Sequence, residues 1–218
     1  MYQGKKNVPE KKFEEAIRKV REWIIDGTLK EGELLNEVDL ANNLNMSRTP
    51  VREAMTYLCN EGLLTMLPGS GCIVSILAKQ DIEEILDLRE TLEPLAATSA
   101  IKRIPDSEIN KHLDIWLSAK SEAENGIEIP PEIFSEWDSN LHGMFKDYCV
   151  NKRLKNILSV LTIQTNLFVM KSWETKAFVI DTINQHLAIL KSLKARNSEE
   201  VINCLLFHIR SNKHYHLD

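Results

Sequence analysis

The chain has 218 residues, of which 43% are hydrophobic and 27% charged, and its formal net charge is −5. This composition is that of an ordinary soluble globular protein, and its 8 glycines and 7 prolines are too few for a β-sandwich or barrel. A polar N-terminal stretch and the lack of any long apolar run exclude a signal peptide and a membrane helix, so we expect a cytoplasmic protein. The four cysteines are scattered, which predicts buried, reduced thiols rather than a disulfide framework.

The N-terminal third of the sequence has the pattern of a winged helix. Apolar residues at helical or alternating spacing predict three helices and then two strands, over about 10–26, 37–44, 48–60, 63–67 and 72–76. The strands flank Pro68-Gly69-Ser70-Gly71, which predicts a β-hairpin with a four-residue loop. Three helices followed by one small hairpin are the layout of a winged helix-turn-helix.

The rest of the chain is predicted to be helical throughout. Helices are expected over about 81–102, 105–124, from 130, after 151, over 177–194 and over 198–215. We therefore predict a mainly α protein with two domains. Residues 1–78 would form the winged helix-turn-helix, and residues 79–218 an all-α antiparallel helical bundle.

The third predicted helix has one apolar and one polar side. At about 100° per residue, its polar side gathers Arg48, Thr49, Arg52 and Thr56. Arginine can bridge the O6 and N7 atoms of guanine, and threonine can reach a phosphate or a thymine methyl group, so the cluster is suited to the major groove. A plain surface helix would also present such residues to water. The net charge does not distinguish these two interpretations, because residues 1–78 hold ten basic and eleven acidic side chains.

A family resemblance favours the DNA-binding interpretation. The segment SRTPVREAM (residues 47–55), the EGLL of residues 61–64 and the glycines of the hairpin loop are similar to the DNA-binding domain of the GntR family. The resemblance implies groove contacts from Ser47, Arg48, Thr49 and Arg52, and a contact from Gly69 at the tip of the hairpin. Since palindromic operators on double-stranded DNA are bound by two-fold proteins, we expect a homodimer.

Three positions depart from the family pattern. Glu31-Gly32 stands where Pro-Gly is usual after the first helix, and Val38 stands where some relatives have a basic residue. The hairpin loop carries no charge, so no arginine is expected to enter the minor groove from it. These differences imply an operator preference unlike that of better-known relatives.

Two features of the C-terminal part are compatible with a metal site. Asp138 and His142 are four residues apart on one predicted helix, a spacing that suits two ligands of one ion. His186 and His208 lie eleven residues on either side of Asn197, so an antiparallel helical hairpin would place them at the same height. Taken singly, each histidine is more typical of a hydrogen-bonded core residue.

A family resemblance adds to what these individual residues indicate. The segments DLRETLEPLAA (87–97), WDSNLH (137–142) and QHLAIL (185–190), with the helix of His208, resemble the FCD effector domain of the FadR-type branch of GntR regulators. The resemblance implies a divalent metal held by Asp138, His142, His186 and His208. Three imidazoles and one carboxylate suit Zn²⁺, Ni²⁺ or Mn²⁺, and water or a chelating carboxylate can fill the open positions. Leu141, in place of a common aromatic residue, would reshape the pocket.

Arg89 has two interpretations of equal weight. It is either a partner for an anionic ligand, because its segment resembles a pocket-lining helix, or one half of a surface ion pair with Glu93 four residues on. The three other histidines, His112, His214 and His216, are expected to be surface or terminal residues.

These observations leave three functional hypotheses. The first is a transcription regulator whose operator affinity is controlled by a small carboxylate effector at the metal. The second is a metal-responsive regulator in which the ion itself is the effector. The third, a metalloenzyme, is disfavoured because an enzyme has no evident use for the N-terminal block and no poised general base accompanies the ligands.

Overall fold

The structure is a computed structural model that describes residues 8–169 and 175–217, with side chains from residue 12 onward. Within these ranges it has nine helices and three short strands. The helices are α1 (Val8–Ile25), α2 (Glu37–Leu44), α3 (Arg48–Asn60), α4 (Lys79–Ala100), α5 (Asp106–Glu124), α6 (Pro131–Tyr148), α7 (Lys152–Val169), α8 (Lys176–Lys194) and α9 (Ser198–Leu217). The strands are β1 (Leu34–Leu35), β2 (Leu64–Leu67) and β3 (Gly71–Val74). The chain divides into two compact units after Ile76.

Local sequence signals fix the helix-turn-helix of the first unit. The Asn36 side chain accepts a hydrogen bond of 2.8 Å from the backbone N–H of Asp39 and so caps α2. Asn45 ends α2 in the left-handed conformation, at φ 52°, which asparagine adopts more readily than most residues. Helix α3 then buries its predicted apolar side, formed by Val51, Ala54, Met55 and Leu58. The polar side of α3 is therefore left in solvent.

The hairpin differs from the prediction in two ways. Leu67 pairs with Gly71, so the connection is a three-residue turn, 68–70, rather than a four-residue loop. The two-residue strand β1, too short to give a sequence signal, pairs with β3 and makes a three-stranded antiparallel sheet of order β1-β3-β2. At Gly71, φ is 101° and an added Cβ would lie 2.5 Å from the Leu35 carbonyl oxygen. Only glycine allows β1 to approach β3 this closely.

The second unit is all-helical. Helix α4 packs against α6, α7 and α9, while α8 packs against α5 and α9. Helix α4 begins at Lys79, earlier than predicted, because the Asp81 carboxylate accepts a hydrogen bond of 2.8 Å from the Ala78 backbone N–H and caps the end. Helices α8 and α9 form an antiparallel hairpin whose turn places Arg196 at φ 56°. The winged helix followed by a helical unit confirms the predicted fold class.

None of the helices in the described ranges is long and apolar enough to cross a membrane.

Candidate metal centre and DNA-recognition helix

Three helices of the second unit bring the predicted ligands together. Helix α6 contributes Asp138 and His142, α8 contributes His186 and α9 contributes His208. One ligand atom from each residue lies within 4.8 Å of the other three, and all four side chains are buried. Among the described residues this is the one group of three or more such side chains that could hold a metal ion.

The spacing of the ligand atoms matches a coordination shell. His208 Nε2 lies 3.1 Å from His142 Nε2 and 3.3 Å from His186 Nε2. Asp138 Oδ1 lies 3.3 Å from His186 Nε2 and 3.8 Å from His142 Nε2. With a metal–nitrogen bond of about 2.0–2.1 Å, adjacent ligand atoms lie about 3.0–3.4 Å apart. Three of the four distances lie in this range and the Asp138–His142 distance is longer, so a first-row divalent ion fits between these atoms once that pair moves slightly closer.

The hydrogen bonds of the rings also favour a cation. His142 Nδ1 lies 2.7 Å from Glu93 Oε2, and His208 Nδ1 lies 2.8 Å from Gln185 Oε1. Both oxygens are acceptors, so each Nδ1 carries the proton and each Nε2 presents its lone pair to the cluster. Two ring nitrogens 3.1 Å apart need either a shared proton or a metal ion between them. Carboxylate and amide partners of this kind orient histidine ligands in metal sites.

Burial sets the protonation of the cluster. Desolvation, followed by the neighbouring histidines and the Arg89 cation, holds the pKa of His186 and His208 well below the usual range of histidine, so both rings are neutral. Desolvation raises the pKa of Asp138, and a bound cation would counteract this effect. Neutral imidazoles and a carboxylate are the forms that bind metal.

Arg89 lies beside this cluster and is almost fully buried. Its Nε donates to Glu93 Oε1, and the other Glu93 oxygen accepts from His142, so the three residues form a chain that ends at a candidate metal ligand. Burial disfavours the charged forms of both Arg89 and Glu93. Their mutual attraction outweighs this effect, so the pKa of Arg89 is raised and the pKa of Glu93 is held well below its usual range. The prediction of a surface pair is therefore wrong in its location: the pair exists, but it is buried.

Further polar atoms surround the cluster. Asn212 Nδ2 lies 3.1 Å from His208 Nε2, and the Trp116 ring contacts the His186 ring edge-on at 4.2 Å between centroids. In the part of the chain that the structure describes, Trp116 Nε1, His186 Nδ1 and Asn212 Oδ1 are buried without a hydrogen-bond partner. Buried polar atoms usually have partners, so each of these three atoms has unused hydrogen-bonding capacity.

Sequence reasoning missed several of these groups. Asn212 follows His208 by one helical turn, so spacing could have indicated it, whereas Gln185 reaches His208 across the α8–α9 hairpin. Trp116 lies on α5, which offered no such signal. The expectation for His112 is wrong: it is buried, because α5 turns it towards α6, where it lines a surface cavity of about 350 Å³. His214 is exposed, and His216 packs against Phe168 with ring centroids 4.9 Å apart.

The predicted DNA-contacting residues all lie on the surface of the first unit. Ser47, Arg48, Thr49 and Arg52 are exposed at the N-terminal end of α3, and Gly69 is exposed in the hairpin turn at φ 77°. Ser47 occupies the N-cap position, but its side chain makes no capping hydrogen bond. Its hydroxyl is therefore available to another acceptor or donor, such as a phosphate.

Two side chains of this surface have partners within the protein. Arg48 Nε donates to Glu37 Oε1 at 2.7 Å, which fixes the arginine against the start of α2. Thr56 Oγ1 donates to the Arg52 carbonyl oxygen at 3.0 Å, within its own helix. Arg52 thus stands as the exposed cation of the α3 surface with no ion pair among the described residues.

A winged helix with an exposed polar recognition helix, together with a helical unit built around a buried ligand cluster, defines a two-domain transcriptional regulator. The profile of the FCD domain matches residues 84–211, and that of the bacterial regulatory proteins of the gntR family matches residues 12–74. The chain therefore belongs to the GntR family and carries an FCD domain. It is a DNA-binding transcriptional regulator and not an enzyme.

Relatives and solved structures agree with this assignment. The chain is 29% identical over 190 residues to the HTH-type transcriptional regulator YdhC of Bacillus subtilis (strain 168), covering 87% of this chain and 84% of the relative. It is 29% identical over 186 residues to the Nta operon transcriptional regulator of Aminobacter aminovorans, covering 85% and 84%. Its fold is similar to that of McbR/YncC of E. coli, with a TM-score of 0.79, 22% identity and coverage of 94% and 96%.

Proposed function

We propose that a small carboxylate effector controls the operator affinity of this regulator by binding to a divalent transition metal, Zn²⁺, Ni²⁺ or Mn²⁺. Asp138, His142, His186 and His208 would hold the ion. The observation that carries the proposal is the convergence of these four buried ligand atoms within 4.8 Å. In this proposal, residues 79–218 form the effector and dimerisation domain, and residues 1–78 form the DNA-binding domain.

The surroundings of the cluster suit an anionic effector. When bound, the metal supplies a positive centre with open coordination positions that a carboxylate can occupy. Arg89 adds a buried cation beside the cluster, paired with the Glu93 carboxylate. The unpartnered Trp116 Nε1 can donate to a further oxygen of the effector, whereas Asn212 Oδ1 can only accept, from a hydroxyl group of the effector or from water.

The DNA side of the proposal rests on α3 and the hairpin. Ser47, Arg48, Thr49 and Arg52 would contact the major groove and its phosphates, and Gly69 would let the hairpin turn approach the backbone. A homodimer would place two such helices on a palindromic operator. Effector binding would then favour one arrangement of the dimer and change its affinity for DNA.

The DNA contacts are tested with an operator selected from fragmented genomic DNA by the purified protein. We expect Arg52→Ala to weaken operator binding by about 1–3 kcal/mol and to flatten the salt dependence of binding. Arg103→Ala, which removes an exposed arginine of the second unit, is the matched control and should leave binding unchanged. Unchanged binding by Arg52→Ala in a mobility-shift titration would remove this residue from the interface.

The effector site is tested on the same operator with protein stripped by a chelator and then reloaded with Zn²⁺, Ni²⁺ or Mn²⁺. A panel of mono-, di- and tricarboxylates is added to each form. We expect carboxylates to shift operator affinity only in the metal-loaded protein, and His142→Ala to abolish the shift while His214→Ala, an exposed histidine, preserves it. A shift produced by the metal alone would favour the ion as the effector, and no shift in any form would refute control through this site.

The homodimer is tested separately by native mass spectrometry of the purified chain. We expect a dimer that carries one metal ion per subunit, with any co-purified carboxylate visible as added mass. A monomer at micromolar concentration, with or without operator, would contradict the proposed two-fold arrangement.

A further inference from the structure

Two of the four cysteines lie next to each other in the winged helix. Cys59 is near the C-terminal end of α3 and Cys72 is in β3, and their sulfur atoms are 3.4 Å apart. All four cysteines lie in the described ranges, and neither Cys149 nor Cys204 has another cysteine sulfur within bonding contact. The closeness of Cys59 and Cys72 is thus particular to this part of the fold.

The fold fixes both members of the pair. Leu58, directly before Cys59, is fully buried, and α3 packs against β2. Strand β3 alternates inward and outward side chains, and Cys72 is inward with 2% of its surface exposed, opposite Met66 of β2. Cys59 is half-buried and Cys72 is buried, so Cys59 is the more accessible of the two cysteines.

We propose that Cys59 and Cys72 form an intramolecular disulfide that joins the recognition helix to the hairpin. The oxidant is a small-molecule disulfide such as oxidised glutathione. A disulfide requires the sulfurs to come within about 2.05 Å, an approach of about 1.4 Å from their present separation. The proposal is independent of the metal site, and only its consequence for DNA binding rests on the proposed function.

The reaction consists of two exchange steps that balance. The accessible Cys59 thiol loses its proton and attacks one sulfur of oxidised glutathione, which breaks that S–S bond and releases one glutathione thiol. Cys72 then loses its proton and attacks the Cys59 sulfur of the mixed disulfide, releasing the second glutathione thiol. Two protein thiols are oxidised, one glutathione disulfide is reduced to two thiols, and both protons end on glutathione.

The environment of the pair sets the rate and the persistence of the bond. Burial, together with the neighbouring Cys72, raises the pKa of Cys59 to about 12, so the reactive thiolate is scarce near neutral pH and the first step is slow. Because of this high pKa, the reduced form gains no stability from a thiolate. A disulfide between such thiols resists reduction once it has formed. We therefore expect a persistent cross-link rather than a rapid peroxide sensor.

The cross-link would act on the elements proposed to touch DNA. It closes the chain from residue 59 to residue 72, which contains β2 and the hairpin turn with Gly69. Helix α3, which carries Ser47, Arg48 and Arg52, would then be tied to that hairpin. Oxidation would restrict movement of the hairpin relative to the recognition helix.

The full chain is equilibrated in glutathione buffers of increasing oxidised fraction, quenched with acid, alkylated and digested. No lysine or arginine lies between Arg52 and Lys79, so trypsin keeps both cysteines on the peptide 53–79. We expect this peptide to become unalkylated and about 2 Da lighter than the dithiol form. Cleavage of the same peptide after Glu61 should leave two fragments that separate only after reduction.

Thermal unfolding provides a second measurement. Oxidation should raise the unfolding midpoint of the winged helix in the wild-type chain by roughly 5 °C or more. Cys59→Ser should lose both the light peptide and the thermal shift, while Cys204→Ser, the matched control, should keep both. A peptide 53–79 that stays reduced, retains one glutathione without closing, or cross-links between chains would overturn the proposal, and these outcomes are read from the wild-type protein without any variant.

Discussion

Glu93→Gln is the substitution that most directly tests how the buried cluster is organised. The carboxylate of Glu93 accepts hydrogen bonds from both Arg89 and His142, with only 6% of the residue exposed. The amide that replaces it has nearly the same shape, but its NH₂ group must face one of these two donors. The substitution therefore removes one acceptor and one negative charge without opening a cavity.

Glu93→Gln should change both metal affinity and folding stability, and the two effects have separate magnitudes. Loss of the carboxylate that orients His142 should weaken metal binding about 10- to 100-fold, which is about 1.4–2.7 kcal/mol. Loss of the charge opposite Arg89 leaves a buried guanidinium without its partner, and breaking a buried pair in this way costs about 3–5 kcal/mol of folding stability. Both effects should be measurable in the same variant.

The assay combines competition of Zn²⁺ and Ni²⁺ against a chromophoric chelator with thermal unfolding of the metal-free protein. Glu90→Gln is the matched control, because Glu90 pairs with the exposed Arg210 at 2.7 Å and its loss should cost about 0–1 kcal/mol. The double variant Arg89→Met with Glu93→Gln should regain most of the stability but not the metal affinity. Metal affinity within twofold of wild type in Glu93→Gln would refute a role for this carboxylate in orienting His142.

Three further outcomes are expected. Gly71→Ala should destabilise the winged helix by about 2–4 kcal/mol, because residue 71 has a positive φ and the added Cβ would meet the Leu35 carbonyl oxygen. Gly69→Ala is the control, since nothing lies within 4 Å of its added Cβ, and it should cost only about 1–2 kcal/mol. Both values are measured by chemical denaturation. Alkylation of Cys59 by iodoacetamide should still accelerate between pH 9 and 11, as a pKa of about 12 requires; a rate that levels off by pH 9 would contradict this. Chelation of the metal should lower the thermal unfolding midpoint. If the ion had been present at 100 times its dissociation constant, the free energy of unfolding should fall by about 2.7 kcal/mol. An unchanged midpoint would argue against a bound ion.

Much of the fold was predictable from local sequence signals. The apolar period of α3, the capping side chain of Asn36 and the left-handed Asn45 act within a few residues, so the helix-turn-helix follows from the sequence pattern. Signals of this range could not predict β1, because a two-residue strand is defined only by its partner β3. For the same reason, the need for glycine at position 71 became evident only when the Leu35 carbonyl was placed beside it.

The candidate site shows the same division. The sequence by itself determined which residues share a helix face, as with Asp138 and His142, and which lie level across the α8–α9 hairpin, as with His186 and His208. Only the tertiary structure showed that Glu93 and Arg89 lie beside this cluster and that Cys59 contacts Cys72. Glu93 meets His142, and Cys59 meets Cys72, across different elements of the fold, and no periodic pattern in the sequence indicates such contacts. Burial, which fixes the charge state of each group, is likewise a property of the packed helices and not of any one segment.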